Sequence, residues 1–303
     1  MPVAMPEPLA YLNGVFLPSS QLCLAADDLG FVQGVAVSER LRTFNGRLFR
    51  LGEHLERLEN SLRIVDLLSH IAIAEIGRAT QELVIRNADL LQDGDDLGVS
   101  LFVTPGRVAG GPPTVGIQAY PLPFGQWAAY YDRGQSLAET GVRQVPSSCW
   151  PAALKCRSRM HYFLADQLAH KQFPGARAIL LDQEGFVSEA STANVVIFRE
   201  GEGVVSPPLE RILPGVSLSA LAGLARQLAI GFSYRDLRLE DLRAADEVLL
   251  CSTSPCVWPV TSLNGQSIGR GATGTAYRRL LAAWSAVAGL DIAAQAVRFR
   301  HRT

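Results

Sequence analysis

Short strand-like segments joined by tight turns are the feature that most constrains the fold of this chain. AYLNGVFLP (10–18) carries an Asn13-Gly14 pair between apolar runs, which is the strongest short-range signal for a β-hairpin. ARAILLD (176–182) reaches a Gln-Glu-Gly turn and returns as FVSEASTANVVIF (186–198). Strands that return directly in this way do not show regular βαβ alternation, so we predict an α+β fold.

Helical periodicity and one irregular segment predict the domain organisation. The clearest helix lies within 51–68, where Leu51, Leu55, Leu58, Leu62 and Val65 fall on one stripe. An irregular aromatic segment at about 121–133 is typical of an interdomain linker. We therefore expect a small N-terminal α/β domain (1–125) and a larger C-terminal mixed α/β domain (134–303). Other helices are expected at 72–92, 156–172, from the Pro214-Gly215 pair onwards, and 274–288.

Composition excludes several classes of protein. The 303 residues are 48% hydrophobic and carry a formal net charge of −1, which gives no electrostatic basis for binding nucleic acid or an anionic membrane. The 5 histidines are dispersed and no metal-ligand motif occurs, so no metal site is expected. We find no transmembrane run and no signal-peptide pattern at residues 1–10. The 5 scattered cysteines are expected to be mostly buried and reduced, so the predicted location is cytoplasmic.

Lysine is rare in this chain and one of its two positions is unusual. Lys171 stands near the end of a predicted helix, where a cation suits the helix dipole. Lys155 instead follows the apolar Ala152, Ala153 and Leu154. A desolvated amine with cations nearby has a lowered pKa and becomes a nucleophile at neutral pH. A lysine with its head group in water is the alternative interpretation of this position.

Three further features are individually weak but consistent with one another. Glu189 is the one acid in a returning strand of apolar and small residues. LPGVSLSA (213–220) begins a helix whose backbone N–H groups can bind an anion, and STS (252–254) forms a second loop of small residues. An amine, a lone carboxylate and two anion-binding loops are the groups that pyridoxal 5′-phosphate (PLP) requires.

The sequence as a whole resembles the class IV (fold-type IV) aminotransferases, the family of D-amino-acid and branched-chain aminotransferases and of aminodeoxychorismate lyase. The resemblance runs through YLNGVFLP, FNGRLFRLGEHLERL, ALKCRSRMHYFLA, GARAILLDQEGFVSEASTANVVIF, ILPGVSLSALAGLA and EVLLCSTSP in the family's order. It implies the two-domain fold-type IV architecture, PLP as cofactor, an amino acid and a 2-oxo acid as substrates, and a homodimer.

The resemblance also implies roles for individual residues. Lys155 matches the lysine that forms the Schiff base with PLP and carries the substrate proton, and Glu189 matches the acid on the pyridine nitrogen. Arg57 matches the phosphate-binding arginine. The remaining matches are to further phosphate contacts, Val216, Ser217 and Thr253, and to the loop on the substrate carboxylate, Thr253 and Ser254.

Three positions depart from the family pattern and affect the substrate half. Met160 replaces the tyrosine that contacts the ring oxygen of PLP in the branched-chain enzymes. Ser38 replaces an aromatic wall of the substrate pocket, although Glu39 beside it is retained. Arg107 is present in the loop after the strand-like residues 97–104, but without the arginine–histidine pair of the D-amino-acid enzymes. Ser38 and Arg107 are therefore candidate substrate residues.

The predicted reaction is transamination between an amino acid and a 2-oxo acid. Two alternatives remain at this point. Aminodeoxychorismate lyase, which releases pyruvate, also carries an arginine four residues after its lysine, as Arg159 does here. A non-catalytic, PLP-binding member of the family is the other alternative, suggested by Ser38 and Met160.

Overall fold

The computed structural model describes residues 7–302, which form two compact units. The N-terminal unit comprises the residues up to Leu122 together with Leu154–Ser158, and the C-terminal unit comprises Pro123–Ala153 and the residues from Arg159 onwards. The division into domains at 1–125 and 134–303 stays a prediction, but Lys155 groups with the first unit and not with the second. Residues 1–6, on which part of the signal-peptide interpretation depends, lie outside the described residues.

The N-terminal unit contains, within the described residues, a six-stranded sheet in which every neighbouring pair is antiparallel. Asn13 and Gly14 have φ of 48° and 94°, the left-handed values that a tight hairpin requires, which confirms the predicted turn. The sheet order is β2-β1-β6-β5-β3-β4, with β1 Leu9–Leu12, β2 Val15–Pro18, β3 Val37–Phe44, β4 Arg47–Leu48, β5 Leu97–Thr104 and β6 Thr114–Pro121.

Helices cover one face of this sheet. They are α2 Leu51–Ile64 and α3 Ile73–Arg86, whereas the short helix α1 Leu29–Val32 lies against Thr104 at the end of β5 on the other face. On the predicted stripe of α2, Leu58 and Leu62 are fully buried and join a core with Val37 and Leu41 of β3. Because side chains alternate along a strand, Ser38 and Arg40 point to the opposite face of the sheet.

The segment that carries Lys155 is extended, although a helix was predicted to begin at residue 156. The Lys155 carbonyl accepts from the Ser38 N–H at 2.9 Å, and the Arg157 N–H donates to the Ala36 carbonyl at 2.8 Å. Cys156 forms a bridge with Val37 between these two bonds. Pairing with the start of β3 therefore uses the backbone groups that a helix would have needed, and the helix begins at Met160 instead.

The C-terminal unit is built around a second sheet. β9 pairs with both β8 and β10, so the strands β10-β13-β14-β7-β8-β9 close into a ring, and β11 and β12 extend the sheet from β10. The strands of this unit are β7 Gln135–Arg143, β8 Arg177–Leu181, β9 Val187–Ala190, β10 Ala193–Arg199, β11 Gly203–Ser206, β12 Phe232–Tyr234, β13 Glu247–Ser252, β14 Cys256–Leu263 and β15 Gln266–Ser267.

Helices pack on this second sheet. Ala165 and Ala169 of α5 are fully buried and lie against β7 and β8, where their small side chains allow close approach. From Pro123 onwards, the segment expected as a linker belongs to the C-terminal unit. Within it, Phe124 is fully buried and stacks on Phe299. The helices are α4 Tyr130–Arg133, α5 Met160–Gln172, α6 Val216–Gln227, α7 Leu239–Arg243, α8 Thr275–Ala288 and α9 Ile292–Arg298.

The structure bears on the sequence expectations about the cysteines and about membrane-spanning helices. The structure forms no disulfide among the five cysteines, which all lie within residues 7–302. Cys23 and Cys149 are exposed, so the expectation of mostly buried thiols is right only for Cys251 and Cys256, with Cys156 intermediate. Among residues 7–302, no single helix has the length and hydropathy of a membrane span; the bent pair α8 and α9, at 81° to each other, reaches them only jointly.

Candidate active site

Lys155 is held in place by its backbone within the N-terminal unit. Its N–H donates to the Ser61 hydroxyl of α2 at 3.2 Å, and its carbonyl accepts from Ser38. Leu154 packs against the core of the unit, so the apolar approach seen in the sequence is an anchored one. The side chain is half-buried.

Arg57, Glu39 and His54 form a buried cluster between α2 and β3. Arg57 Nε donates to Glu39 Oε1 and Arg57 Nη2 to Glu39 Oε2, both at 2.8 Å. His54 Nδ1 lies 2.8 Å from Glu39 Oε2. The guanidinium of the predicted phosphate-binding arginine is therefore fixed by a two-pronged ion pair.

The charges of this cluster follow from its burial and its partners. Burial opposes ionisation of Glu39, but the charge and hydrogen bonds of Arg57 and the hydrogen bond from His54 outweigh it and hold the pKa of Glu39 well below its usual range. Burial, assisted by the positive charges of Arg57 and Lys155, lowers the pKa of His54 against the opposing pull of Glu39. At neutral pH the imidazole is therefore neutral, and Nδ1 carries the proton that it donates to the carboxylate.

Glu189 lies in β9 of the C-terminal unit and is 6% exposed. Its Oε1 accepts from Asn194 Nδ2 at 3.0 Å and from the Leu213 N–H at 2.9 Å. Its Oε2 accepts from the Tyr162 hydroxyl at 2.7 Å and from Gln144 Nε2 at 3.5 Å. Burial and the negative charge of Glu189 raise the pKa of Tyr162 well above its usual value, so the phenol remains a neutral donor.

The first turn of α6 is tied to the Glu189 cluster. Asn194 Nδ2 donates to the Leu213 carbonyl at 2.9 Å as well as to Glu189. A Cβ on Gly215 would lie only 2.0 Å from Asn194 Oδ1, so glycine is required for this approach. Val216 and Ser217, the predicted phosphate contacts, are buried directly after Gly215 at the start of the helix. Amide N–H groups at a helix start suit an anion.

The turn after β13 lies beside the same residues. Asn194 is in register with Glu189 on β9 and with Cys251 on β13. The Ser252 hydroxyl donates to the Thr192 carbonyl at 3.0 Å, which joins the turn at 252–254 to the turn after Glu189. Of the two predicted residues here, Ser254 is buried and Thr253 is half-buried.

The predicted site residues thus fall into two groups. The C-terminal unit brings together Glu189, Val216, Ser217, Thr253 and Ser254, and the N-terminal unit brings together Arg57, Lys155 and Ser38. Arg107 is different: it is exposed in the loop after β5 and forms a two-pronged ion pair with Asp27. Within residues 7–302, the hydrogen bonds of Arg107 go to Asp27, and none joins it to Arg57, Lys155 or Ser38.

Sequence reasoning missed several members of these clusters. Glu39 and His54 had a local signal, since Glu39 stands between Val37 and Leu41 on the core face of a strand and His54 lies one turn before Arg57. Tyr162 lies two residues after Met160, which is 70% exposed at the start of α5, and no sequence pattern indicated its contact with Glu189. Gln144 and Asn194 had no signal, because their partners are set by strand pairing.

The chain is similar to known proteins over most of its length. Residues 36–263 match the family model described as Amino-transferase class IV. The D-alanine aminotransferase of Staphylococcus epidermidis is 27% identical over 279 residues, which cover 89% of this chain and 94% of that protein. The putative branched-chain-amino-acid aminotransferase of Methanocaldococcus jannaschii is 27% identical over 281 residues, covering 89% and 93%.

Solved structures give the same fold. The branched-chain amino acid aminotransferase from Escherichia coli superposes with a TM-score of 0.80 at 24% identity, covering 94% of each chain. The branched-chain aminotransferase from the archaeon Thermoproteus uzoniensis, solved with norvaline, gives a TM-score of 0.82 at 24% identity, covering 94% of this chain and 96% of that one. The predicted α+β, fold-type IV architecture is confirmed.

The residues present fit PLP, the cofactor of the family. A buried carboxylate with both oxygens oriented suits a pyridinium N–H, and the start of α6 and the Arg57 guanidinium suit a phosphate. The comparisons favour transamination over the lyase reaction and over a non-catalytic role. The chain belongs to the amino-transferase class IV family and is a PLP-dependent transaminase that acts on an amino acid and a 2-oxo acid.

Proposed function

We propose that Lys155, Glu189 and Arg57 are the central cofactor residues of this transaminase. When bound, PLP supplies an electron sink for the charge left by a breaking Cα–H bond. Lys155 provides the amine that attaches the cofactor and then carries the proton from the substrate Cα. Glu189 accepts the pyridine N–H, while Arg57 and the first turn of α6, at Val216 and Ser217, bind the phosphate together with Thr253.

The observation that carries this assignment is the environment of Glu189. A buried carboxylate is costly unless its oxygens are satisfied, and here four donors surround it. Such a network fixes the orientation of the carboxylate. The 3.5 Å contact from Gln144 is the weakest of the four, so Oε2 is the oxygen with capacity for a further N–H group. A solvent-facing strand acid would need none of these donors.

The experiment is a comparison of two lysine variants by visible absorption. Lys155→Ala should lack the absorption band of lysine-attached PLP and should lose turnover, while its far-UV circular dichroism stays that of the wild type. Lys171→Ala removes the only other lysine, an exposed one in α5, and serves as the matched control. A normal band and rate in Lys155→Ala would refute the assignment.

The identity of the amino acid is tested with the same band. The relatives are named for D-alanine and for branched-chain amino acids, and we propose a substrate set that includes one of these types. Stoichiometric addition of D-alanine, L-alanine, L-leucine and L-isoleucine should convert the cofactor with one enantiomer only.

Thr253 and Ser254 are proposed to bind the substrate carboxylate, and Ser38 and Arg107 remain proposed substrate residues.

We also propose that the enzyme is a homodimer. α5 presents an apolar stripe of Met160, Phe163, Leu164 and Leu168, which are 70%, 61%, 49% and 37% exposed. The opposite side of the helix is buried through Ala165 and Ala169, so the stripe is available for a second copy. Light scattering measures the molar mass in solution. The wild type and Gln172→Asp, at the end of the same helix, should have the mass of a dimer, and Phe163→Asp should have the mass of a monomer.

The cytoplasm is the proposed location. Among residues 7–302 the five cysteines form no disulfide, in keeping with a reducing compartment. Fractionation of cells expressing a tagged chain tests this proposal, and recovery of the chain in the membrane or secreted fraction would refute it.

A further inference from the structure

The face of the N-terminal sheet opposite α2 and α3 carries a cluster of polar and cationic groups that the cofactor assignment does not use. Strand register places three neighbouring strands in rows on this face. Arg40 of β3 is opposite Ser100 of β5, which is opposite Gln118 of β6. The rows on either side are Ser38, Phe102 and Gly116, and Arg42, Gly98 and Tyr120.

Glycines shape this surface into a recess. A Cβ on Gly98 would lie 2.6 Å from Tyr120 Cε2, and a Cβ on Gly116 would lie 2.2 Å from Phe102 Cζ. The two aromatic rings therefore lie flat across neighbouring strands instead of standing away from the sheet. Between the two rings the central row offers only the small Ser100 and the long side chains of Arg40 and Gln118.

Two guanidinium groups belong to this recess. The Arg40 Cζ lies 5.9 Å from the centroid of the Tyr120 ring. Arg157, two residues after Lys155, donates from Nη2 to the Ser100 hydroxyl at 2.6 Å. In the part of the chain that the structure describes, the Arg40 guanidinium has no carboxylate partner within salt-bridge distance. Arg157 is bonded to Ser100, the register partner of Arg40, so two cations serve this recess and suit it to an anion.

Two buried hydroxyl groups point to a ligand independently of the charges. The Ser38 side chain is 2% exposed, and its Oγ has no hydrogen-bond partner among residues 7–302. The Tyr120 Oη is buried and likewise lacks a partner among these residues. Buried hydroxyls are normally paired, because an unpaired one carries a desolvation cost of about 1–3 kcal/mol. The two hydroxyls lie in the outer rows, four residues apart along the strands, so each needs its own oxygen acceptor from a bound molecule.

We propose that Arg40, together with Tyr120, binds a side-chain carboxylate of the substrate and thereby sets which acids the enzyme accepts. This inference rests on the proposed function, which makes Lys155 the catalytic amine. The recess lies next to Lys155, because the start of β3 is hydrogen-bonded to the Lys155 backbone. Ser38 and the Lys155 carbonyl are directly bonded, and the Arg157 side chain extends from the same segment into the recess. A guanidinium fork and a phenolic O–H are suited to a planar carboxylate.

The test compares Arg40→Met with Arg47→Met. Arg47 is an exposed arginine of β4 in the same unit, so the control makes the same change in charge away from the recess. Steady-state constants are measured with glutamate and glutamine, each as both enantiomers, since this pair differs only in a second carboxylate. Tyr120→Phe is a second recess variant that removes one hydroxyl and leaves the charge unchanged.

A recess for the side-chain carboxylate predicts that Arg40→Met raises the KM of glutamate by about 10- to 100-fold and leaves that of glutamine unchanged. A recess for the α-carboxylate predicts equal rises with both substrates. Equal rises would place Arg40 on the α-carboxylate, which the proposed function assigns to Thr253 and Ser254, and would contradict the proposal. Values for Arg40→Met that match those of Arg47→Met with every substrate would overturn it.

Binding without turnover separates this proposal from the proposed function. Glutarate, and pentanoate as the analogue that lacks the second carboxylate, are titrated calorimetrically into the PLP-loaded proteins. If the wild type fails to transaminate but binds glutarate, and Arg40→Met loses that binding by about 10-fold or more, the recess stands and the proposed function fails. If the wild type turns over and the dissociation constants are the same in both arginine variants, the recess assignment fails alone.

Discussion

Arg57 and Glu39 face each other through two parallel hydrogen bonds of 2.8 Å, with 10% and 1% of their side chains exposed. The pair joins helix α2 to strand β3, and His54 adds a third donor to the same carboxylate. An arginine oriented in this way presents its guanidinium in one fixed plane. Glu39 and His54 are therefore positioning residues for Arg57.

Replacing Glu39 with glutamine should be strongly destabilising. The change leaves the Arg57 charge buried without its counter-ion, and breaking a buried pair in this way costs about 3–5 kcal/mol. Chemical denaturation measures the free energy of unfolding, and equilibrium dialysis measures PLP affinity, which should fall with it. The control is Glu59→Gln on the exposed side of the same helix, whose ion pair with Arg63 is about half exposed and should contribute below about 1 kcal/mol. Equal losses in the two variants would contradict the role of Glu39.

The pKa of His54 predicts how stability depends on pH. Its pKa is lowered in the folded protein, so below the ordinary histidine value the unfolded chain binds a proton that the folded chain does not. Stability should therefore fall as the pH decreases from about 7 toward the lowered pKa of His54. His54→Gln should flatten this dependence, whereas His70→Gln, which changes an exposed histidine, should leave it intact. Denaturation curves between about pH 5 and 8 provide the comparison, and parallel curves for the wild type and His54→Gln would refute it.

Tyr162 is expected to orient Glu189. Tyr162→Phe removes the 2.7 Å hydrogen bond to the carboxylate and should lower stability by about 1.5–3 kcal/mol, the range for hydrogen bonds to charged groups. The absorption maximum of bound PLP should also shift, since Glu189, the proposed acceptor for the pyridine nitrogen, loses one of its supports. Tyr234→Phe changes a tyrosine that is 46% exposed and is the control. A spectrum identical to that of the wild type would reduce Tyr162 to a packing residue.

Replacing Gly215 or Gly223 with alanine should change stability in opposite directions, although Gly215 caps α6 and Gly223 lies within it. Gly215→Ala places a methyl group 2.0 Å from Asn194 Oδ1 and should destabilise by about 1–3 kcal/mol, as overpacking does elsewhere. It should also weaken PLP binding, because Asn194 supports Glu189. Gly223 has nothing within 4 Å of its added Cβ, so Gly223→Ala should stabilise α6 by about 0.5–1 kcal/mol. Thermal melts of the two variants and the wild type test the order, which would be contradicted if Gly215→Ala melted at or above the wild type.

Local sequence patterns predicted the elements that depend on nearby residues. The Asn13-Gly14 turn and the stripe of α2 follow from preferences that operate over a few residues. The helix predicted at 156–172 shows where such preferences fail. The backbone of 155–157 pairs with the start of β3, which lies far earlier in the chain, and this pairing overrides the local signal.

The sequence by itself determined the fold class, the family and the residue types that suit PLP, because these are carried by turn residues, periodicity and motif spacing. The surroundings of those residues were decided only by tertiary structure. Glu189 meets Tyr162 and Gln144 across 27 and 45 residues, and Ser100 meets Arg157 across 57. Such contacts depend on which strands pair and in which register, and no local pattern in the chain encodes that choice.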